Sequence, residues 1–145
     1  MKTAIFPGSF DPFTIGHADI VNRSLSLFDK VVIGIGCNSL KQSIFPIDDR
    51  LEHIRKVFKD KPRVSVEIYT GLTVDFAREQ NAQFILRGIR CVADFEYERN
   101  MAEANKQLTG VETIILYTRP EYAHISSTLV RDLYQHGQDI TPYLA

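Results

Sequence analysis

In Lys30-Val31-Val32-Ile33-Gly34-Ile35-Gly36 the lysine is followed by six positions that are apolar or without a side chain, with no alternation with polar ones. A strand of that composition is dry on both faces, and its usual place is the interior of a parallel sheet with helices above and below. Parallel neighbours require crossovers long enough to hold a helix. The flanking sequence supplies them. Residues 3–6 (Thr-Ala-Ile-Phe) read as a first strand, and Ile20, Val21, Ser24, Leu25 and Phe28 recur at helical spacing over 16–28. That stripe extends back one turn to His17, so the imidazole is expected to face the sheet at the helix start.

The alternation continues. Asp48 and Asp49 suit the first turn of a second helix, whose stripe is Leu51, Ile54, Arg55 and Phe58. Val64, Val66 and Ile68 alternate as a third strand, Gly71 breaks the chain, and Val74, Phe76 and Ala77 sit on a short third helix. Residues 83–86 read as a fourth strand and 112–117 as a fifth. Over 92–108, steps of 100° place Glu96, Arg99, Asn100, Glu103, Lys106 and Gln107 on one face. The opposite, inward stripe then holds Ala93, Tyr97, Met101, Ala104 and Leu108, with Asp94, Glu98 and Asn105 among them. Carboxylates on an inward stripe demand partners, so they mark a buried ion pair or a polar cleft. Ser126, Ser127 and Thr128 cap a last helix with the stripe Leu129, Val130, Leu133 and Tyr134, which Gly137 ends. The expectation is a single α/β domain over 1–145: an open, Rossmann-like, parallel five-stranded sheet with helices on both faces.

With 44% apolar and 24% charged residues, the chain has an ordinary globular composition. A net charge of −1 argues against a nucleic-acid binder that neutralises phosphates broadly, so any anion site must be local. Residues 1–3 lead straight into a strand without the pattern of a signal peptide, and no apolar run approaches the length of a membrane span. Cys37 and Cys91 lie far apart with no ligand spacing, which fits a reduced cytoplasmic protein. His53 and His136 read as exposed side chains.

Ligands of open parallel sheets bind beyond the carboxyl ends of the strands. Four segments converge there: residues 8–17, 38–41, 87–90 and 122–128. They bring His17, Lys41, Arg87 and Arg90 together with helix N-termini at His17 and Ser126, a donor set for several phosphates. Neither GxxxxGK[ST] nor GxGxxG follows the first strand. Taken alone, each residue has a plainer role: His17 and the Ser126 cluster as helix caps, Lys41 as a solvated loop cation, and Arg87 and Arg90 as structural partners of Asp94 or Glu98.

Two signals together point further. Thr14-Ile15-Gly16-His17 resembles the (H/T)xGH hallmark of the nucleotidylyltransferase superfamily, and Ile125-Ser126-Ser127-Thr128-Leu129-Val130-Arg131 resembles its second hallmark. Within that superfamily, Phe6-Pro7-Gly8-Ser9-Phe10-Asp11-Pro12 and Arg87-Gly88-Ile89-Arg90-Cys91-Val92-Ala93-Asp94-Phe95-Glu96-Tyr97-Glu98 resemble the phosphopantetheine adenylyltransferase family. The spaced Asn38, Lys41 and Phe45 agree, and the likeness runs from the first strand to about Leu133.

The resemblance implies transfer of the AMP part of ATP to the phosphate of 4'-phosphopantetheine, by in-line attack without a general base. His17 would contact the α-phosphate and stabilise the transition state, supplying charge. Ser9, where the family often has Thr, would bridge acceptor and ATP. Lys41 and Arg87 would hold the acceptor phosphate and Thr73, where the family commonly has an aliphatic residue, the pantetheine arm. ATP would meet Phe10, Gly88, Ile89, Arg90 and Glu98, then Tyr122, Ala123, His124 and Ile125, with Ser126, Ser127 and Thr128 at the pyrophosphate end. Magnesium would travel with ATP, with no protein ligand assigned. The resemblance also implies a homohexamer and coenzyme A as a feedback inhibitor. A relative acting on nicotinate mononucleotide or glycerol phosphate, and a non-catalytic nucleotide-binding module, are the competing readings.

Overall fold

The computed structural model describes residues 1–38 and 42–145. The expected alternation forms as β1 (Thr3–Gly8), α1 (Ile15–Ser24), β2 (Lys30–Gly36), α2 (Ile47–Val57), β3 (Val64–Tyr69), α3 (Thr73–Glu79), β4 (Phe84–Ile89), α4 (Val92–Thr109), β5 (Glu112–Tyr117) and α5 (Ser127–Gln135). Among the described residues these strands make one five-stranded parallel sheet in the order β3-β2-β1-β4-β5. Val31, Val32, Ile33 and Ile35 of β2 are all fully buried, as a strand dry on both faces must be. Ile20 and Val21 of α1 with Ile54 of α2 cover one face of the sheet, and Val74, Phe76 and Ala77 of α3 cover the other. Gly34 permits the close seat of α3, because a Cβ there would come within 2.4 Å of the Phe76 ring.

The chain builds outward from β1 to β3, then returns to the other edge of β1 for β4 and β5. At the reversal the β1–β4 ladder pairs Ala4 with Phe84 and Ile5 with Ile85, whereas β1 runs beside β2 from Thr3 to Gly8. Pro7 has no N–H with which to extend pairing. Strands that part at their carboxyl ends leave a crevice at the switch point, and that crevice is the site.

Four local expectations change. β1 and β4 each run further than 3–6 and 83–86, since Pro7 and Gly8 stay in register with β2, and residues 87–89 stay in register with β5. The first helix ends at Ser24 instead of continuing to 28: the Ser24 hydroxyl donates back to the Val21 carbonyl at 2.7 Å, and the N–H groups of Leu27 and Phe28 both close on the Ser24 carbonyl. His53 is half-buried, not exposed, with Nε2 3.0 Å from a main-chain oxygen of Ala145. The largest change is the rotation of α4. Glu98 is buried, with Asp94, Ala102 and Asn105 partly covered along the same line. Tyr97, Met101 and Leu108 of the expected inward stripe are 64%, 42% and 64% exposed. The arginines of the β4 end require paired carboxylates, and that pairing turns the apolar line outward.

Candidate active site

The turn leaving β1 is tightly built. Phe10 takes a left-handed backbone with φ of 48°, and its buried ring packs between Phe6 and Phe13 at 5.3 and 5.2 Å, with His17 at 5.1 Å. A Cβ on Gly8 would lie 2.9 Å from that ring, so the close approach requires glycine. Ser9, next in line, is half-exposed at the mouth of the crevice.

Thr14 is the N-cap of α1, and His17 occupies the third helical position where a capping box usually has Glu or Gln. The Thr14 N–H donates to His17 Nδ1 at 3.0 Å, and the His17 N–H donates to Thr14 Oγ1 at 3.4 Å. An Nδ1 that accepts leaves the ring proton on Nε2. Burial, reinforced by the Arg87 and Arg90 guanidiniums, pulls the imidazole down from its usual 6.5 to about 3. Among the protein's own groups His17 is therefore a neutral hydrogen-bond donor at neutral pH. Its capping role and its place in the crevice hold together.

A cleft of about 210 Å³ opens over these groups, lined by Ser9, Phe10, Gly16, His17, Gly88 and Arg90, with Ile125 and Ser127 on the far wall. A second cleft of about 160 Å³ lies between α3 and α4, lined by Tyr69, Thr73, Tyr97, Glu98, Met101 and Asn105. Pro7, Gly8 and Arg87 belong to both. Arg87 is the partition: Nε and Nη2 donate to the two Glu98 oxygens at 3.0 and 2.8 Å, and Nη1 donates to the Pro7 carbonyl. Arg90 is looser, with Asp94 accepting from its Nε at 3.2 Å and from its N–H at 2.9 Å.

The structure thus gathers Ser9, Phe10, His17, Gly88, Arg90, Ile125 and Ser127 at the first cleft and Thr73 and Glu98 at the second. Ile89 is buried beneath. Tyr122, Ala123, His124, Ser126 and Thr128 flank the first cleft outside its lining, with Tyr122 packed on Ile125 and Val130, and Ser126 capping α5 through the Leu129 N–H at 3.0 Å. Lys41 lies outside the described residues. Thr73 Oγ1 is 3.0 Å from the Tyr69 hydroxyl, so the polar residue at this position is held at the cleft wall. The second hallmark is joined directly to the turn that precedes the first: Ser127 Oγ donates to the Pro12 carbonyl at 2.9 Å and Arg131 Nη1 to the Asp11 carbonyl at 3.0 Å. The sequence reading missed Asp11, Arg50 and Arg131 as builders of the turn; no local pattern marks a side chain whose partner is a remote main-chain group, N–H groups for Asp11 and carbonyls for the two arginines. Among the described residues no group of three or more His, Cys, Asp or Glu could hold a metal ion.

A switch-point crevice lined by a donating imidazole, arginines and a helix N-terminus defines a phosphate-handling α/β protein. Residues 5–133 match the cytidylyltransferase-like family model, and the chain belongs to that family. Among curated relatives, it is 58% identical to the phosphopantetheine adenylyltransferase of Phocaeicola vulgatus over 144 residues, covering 99% of this chain and 95% of that one. It is 56% identical to the phosphopantetheine adenylyltransferase of Bacteroides fragilis, with 99% and 96% covered. A crystal structure assigned as a nicotinate-nucleotide adenylyltransferase from Vibrio parahaemolyticus superposes with a TM-score of 0.67 over 100% of this chain and 94% of that one; at 24% identity this likeness speaks for the fold alone.

Proposed function

We propose that the chain, acting as a single nucleotidyltransferase domain over 1–145, transfers the adenylyl group of ATP to 4'-phosphopantetheine, giving dephospho-coenzyme A and pyrophosphate in coenzyme A biosynthesis. The observation that carries this reading is the position of Arg87 between two clefts. One cleft has the donors for a triphosphate, and the other is a mixed polar and apolar groove suited to an amide-bearing arm. The shared arginine stands where the two phosphates must meet.

An acceptor phosphate oxygen, already ionised near neutral pH, attacks the α-phosphorus; the new P–O bond forms as the bond to the β-phosphate oxygen breaks, and pyrophosphate leaves. No proton has to be removed from the nucleophile, so catalysis rests on position and charge. His17 donates its Nε2–H to an α-phosphate oxygen, Ser9 bridges acceptor and nucleotide, and Lys41 and Arg87 hold the acceptor phosphate. Thr73 meets the pantetheine arm. Phe10, Gly88, Ile89, Arg90 and residues 122–128 frame ATP, and Glu98, expected from the sequence to meet ATP, instead holds Arg87 from the second cleft. Magnesium would arrive with ATP and would offset charge on the triphosphate, and no protein ligand is assigned to it.

Among the described residues no helix is long and apolar enough to cross a membrane, and we assign the protein to the cytoplasm, without nucleic-acid partners. The exposed apolar line of α4 fits a homohexamer, and coenzyme A is the expected feedback ligand. The test is pyrophosphate release by the purified chain with ATP, magnesium and each of 4'-phosphopantetheine, nicotinate mononucleotide and glycerol phosphate. Release with the first alone is expected, and none with it would overturn the reading. Lys41→Ala should raise the acceptor KM far more than the ATP KM.

A further inference from the structure

Arg50 is a charged side chain on α2 that is only 8% exposed, and Asp11 is a carboxylate only 4% exposed. Buried charges of this kind are costly unless their hydrogen-bonding capacity is filled. Each is met by backbone groups. Asp11 Oδ2 and Oδ1 accept the N–H groups of Ile44 and Phe45, both at 2.9 Å. Arg50 Nε donates to the Phe45 carbonyl at 3.0 Å, and Nη1 donates to the Ser9 carbonyl. Phe45 is thus gripped at its N–H by Asp11 and at its carbonyl by Arg50, and the same guanidinium holds Ser9.

The consequence lies in the Ser9–Phe10 peptide, which is trans, the cis bond of this turn being Asp11–Pro12. In a planar trans peptide the carbonyl and the following N–H point in opposite directions. With the Ser9 carbonyl fastened toward α2, the Phe10 N–H is turned to the other side, toward the cleft that Ser9, Phe10 and His17 line. Among the described residues it has no protein acceptor. We propose that Arg50 is a positioning residue: by holding the Ser9 and Phe45 carbonyls, it orients the Phe10 N–H as a fixed donor to the nucleotide phosphate beside His17. The inference rests on the adenylyl-transfer reading for its kinetics, and its structural half is testable with ATP alone.

The experiment uses the full chain and its Arg50→Met and Arg50→Lys variants. Misplacing a donor by about 1 Å costs on the order of a hundred-fold in rate, so kcat should fall by about ten- to a hundred-fold in Arg50→Met while the ATP KM changes little. Arg50→Lys retains the charge and a single donating nitrogen and should fall between it and the native chain, which keeps the test alive if Arg50→Met does not fold. In parallel, ATP is titrated into 15N-labelled protein. The Phe10 amide resonance should shift in the native chain and shift less in Arg50→Lys. A folded variant with native kcat, or one whose Phe10 response to ATP is unchanged, would overturn the proposal. So would a native chain that binds ATP with no movement at Phe10. An ATP response at Phe10 that weakens in Arg50→Lys, without pyrophosphate release on any acceptor, would support the positioning role while sinking the adenylyl-transfer reading.

Discussion

Thr14 donates its backbone N–H to Nδ1 of His17, three residues on, at 3.0 Å. That contact selects the tautomer with its proton on Nε2, in a ring that burial and two neighbouring arginines keep neutral. The loop before α1 and the His17 ring are therefore one unit.

The kinetic consequence is that His17→Ala should lower kcat by on the order of a hundred- to a thousand-fold, the effect of deleting one transition-state donor, with ATP binding much less affected. Steady-state rates paired with calorimetric ATP titration would check this. Near-native turnover would remove His17 from the reaction.

The same ring gives a pH dependence of stability. With a pKa of 6.5 when unfolded and about 3 when folded, His17 binds a proton in the unfolded chain first. Its contribution is fully present above 6.5 and is lost as pH falls toward 3, at about 1.4 kcal/mol per pH unit. Denaturant unfolding at pH 7.5 and 5.0 should show a loss larger by about 2 kcal/mol in the native chain than in His17→Gln. Equal losses would mean that the ring titrates normally.

Glu98 contributes both of its oxygens to Arg87. Glu98→Gln leaves the guanidinium with a neutral, single-acceptor partner, and Arg87 forms the wall between the clefts. The acceptor KM should rise several-fold, more than the ATP KM. Initial rates with each substrate varied in turn would decide it, and an increase confined to ATP would contradict this placement.

Gly8→Ala should destabilise the fold by about 1–3 kcal/mol, the usual result of forcing a methyl into packed space. The Phe10 ring lies 2.9 Å from where the Cβ would go. A midpoint shift in chemical denaturation at constant slope is the expected signature.

The apolar line of α4 should be covered by another copy of the chain. Light scattering of the native chain should give an oligomer, and a Met101→Glu, Leu108→Glu double variant should give a smaller species. A native monomer would count against the assembly.

The alternation of buried strands and striped helices was legible because each strand and helix records its environment in periodic side chains, as β2 does in five successive buried residues from Val31 to Ile35. The hallmark residues around His17 and Ser127 were legible because their spacing is local. The rotation of α4 was not, since periodicity alone treats Tyr97 and Met101 as core and cannot weigh them against the need of Arg87 for a carboxylate. Nor was Arg50, whose partners Ser9 and Phe45 are carbonyls brought to it by the fold.

By itself the sequence determined a parallel sheet, the order of its elements, and the turn-and-helix start that presents His17, because hydrophobic period and capping act over a few residues. Only the tertiary structure decided that His17 is a neutral donor, that Arg87 divides two clefts, and that Asp11 and Arg50 fasten the turn. These depend on burial and on charges meeting across elements, which no local pattern encodes.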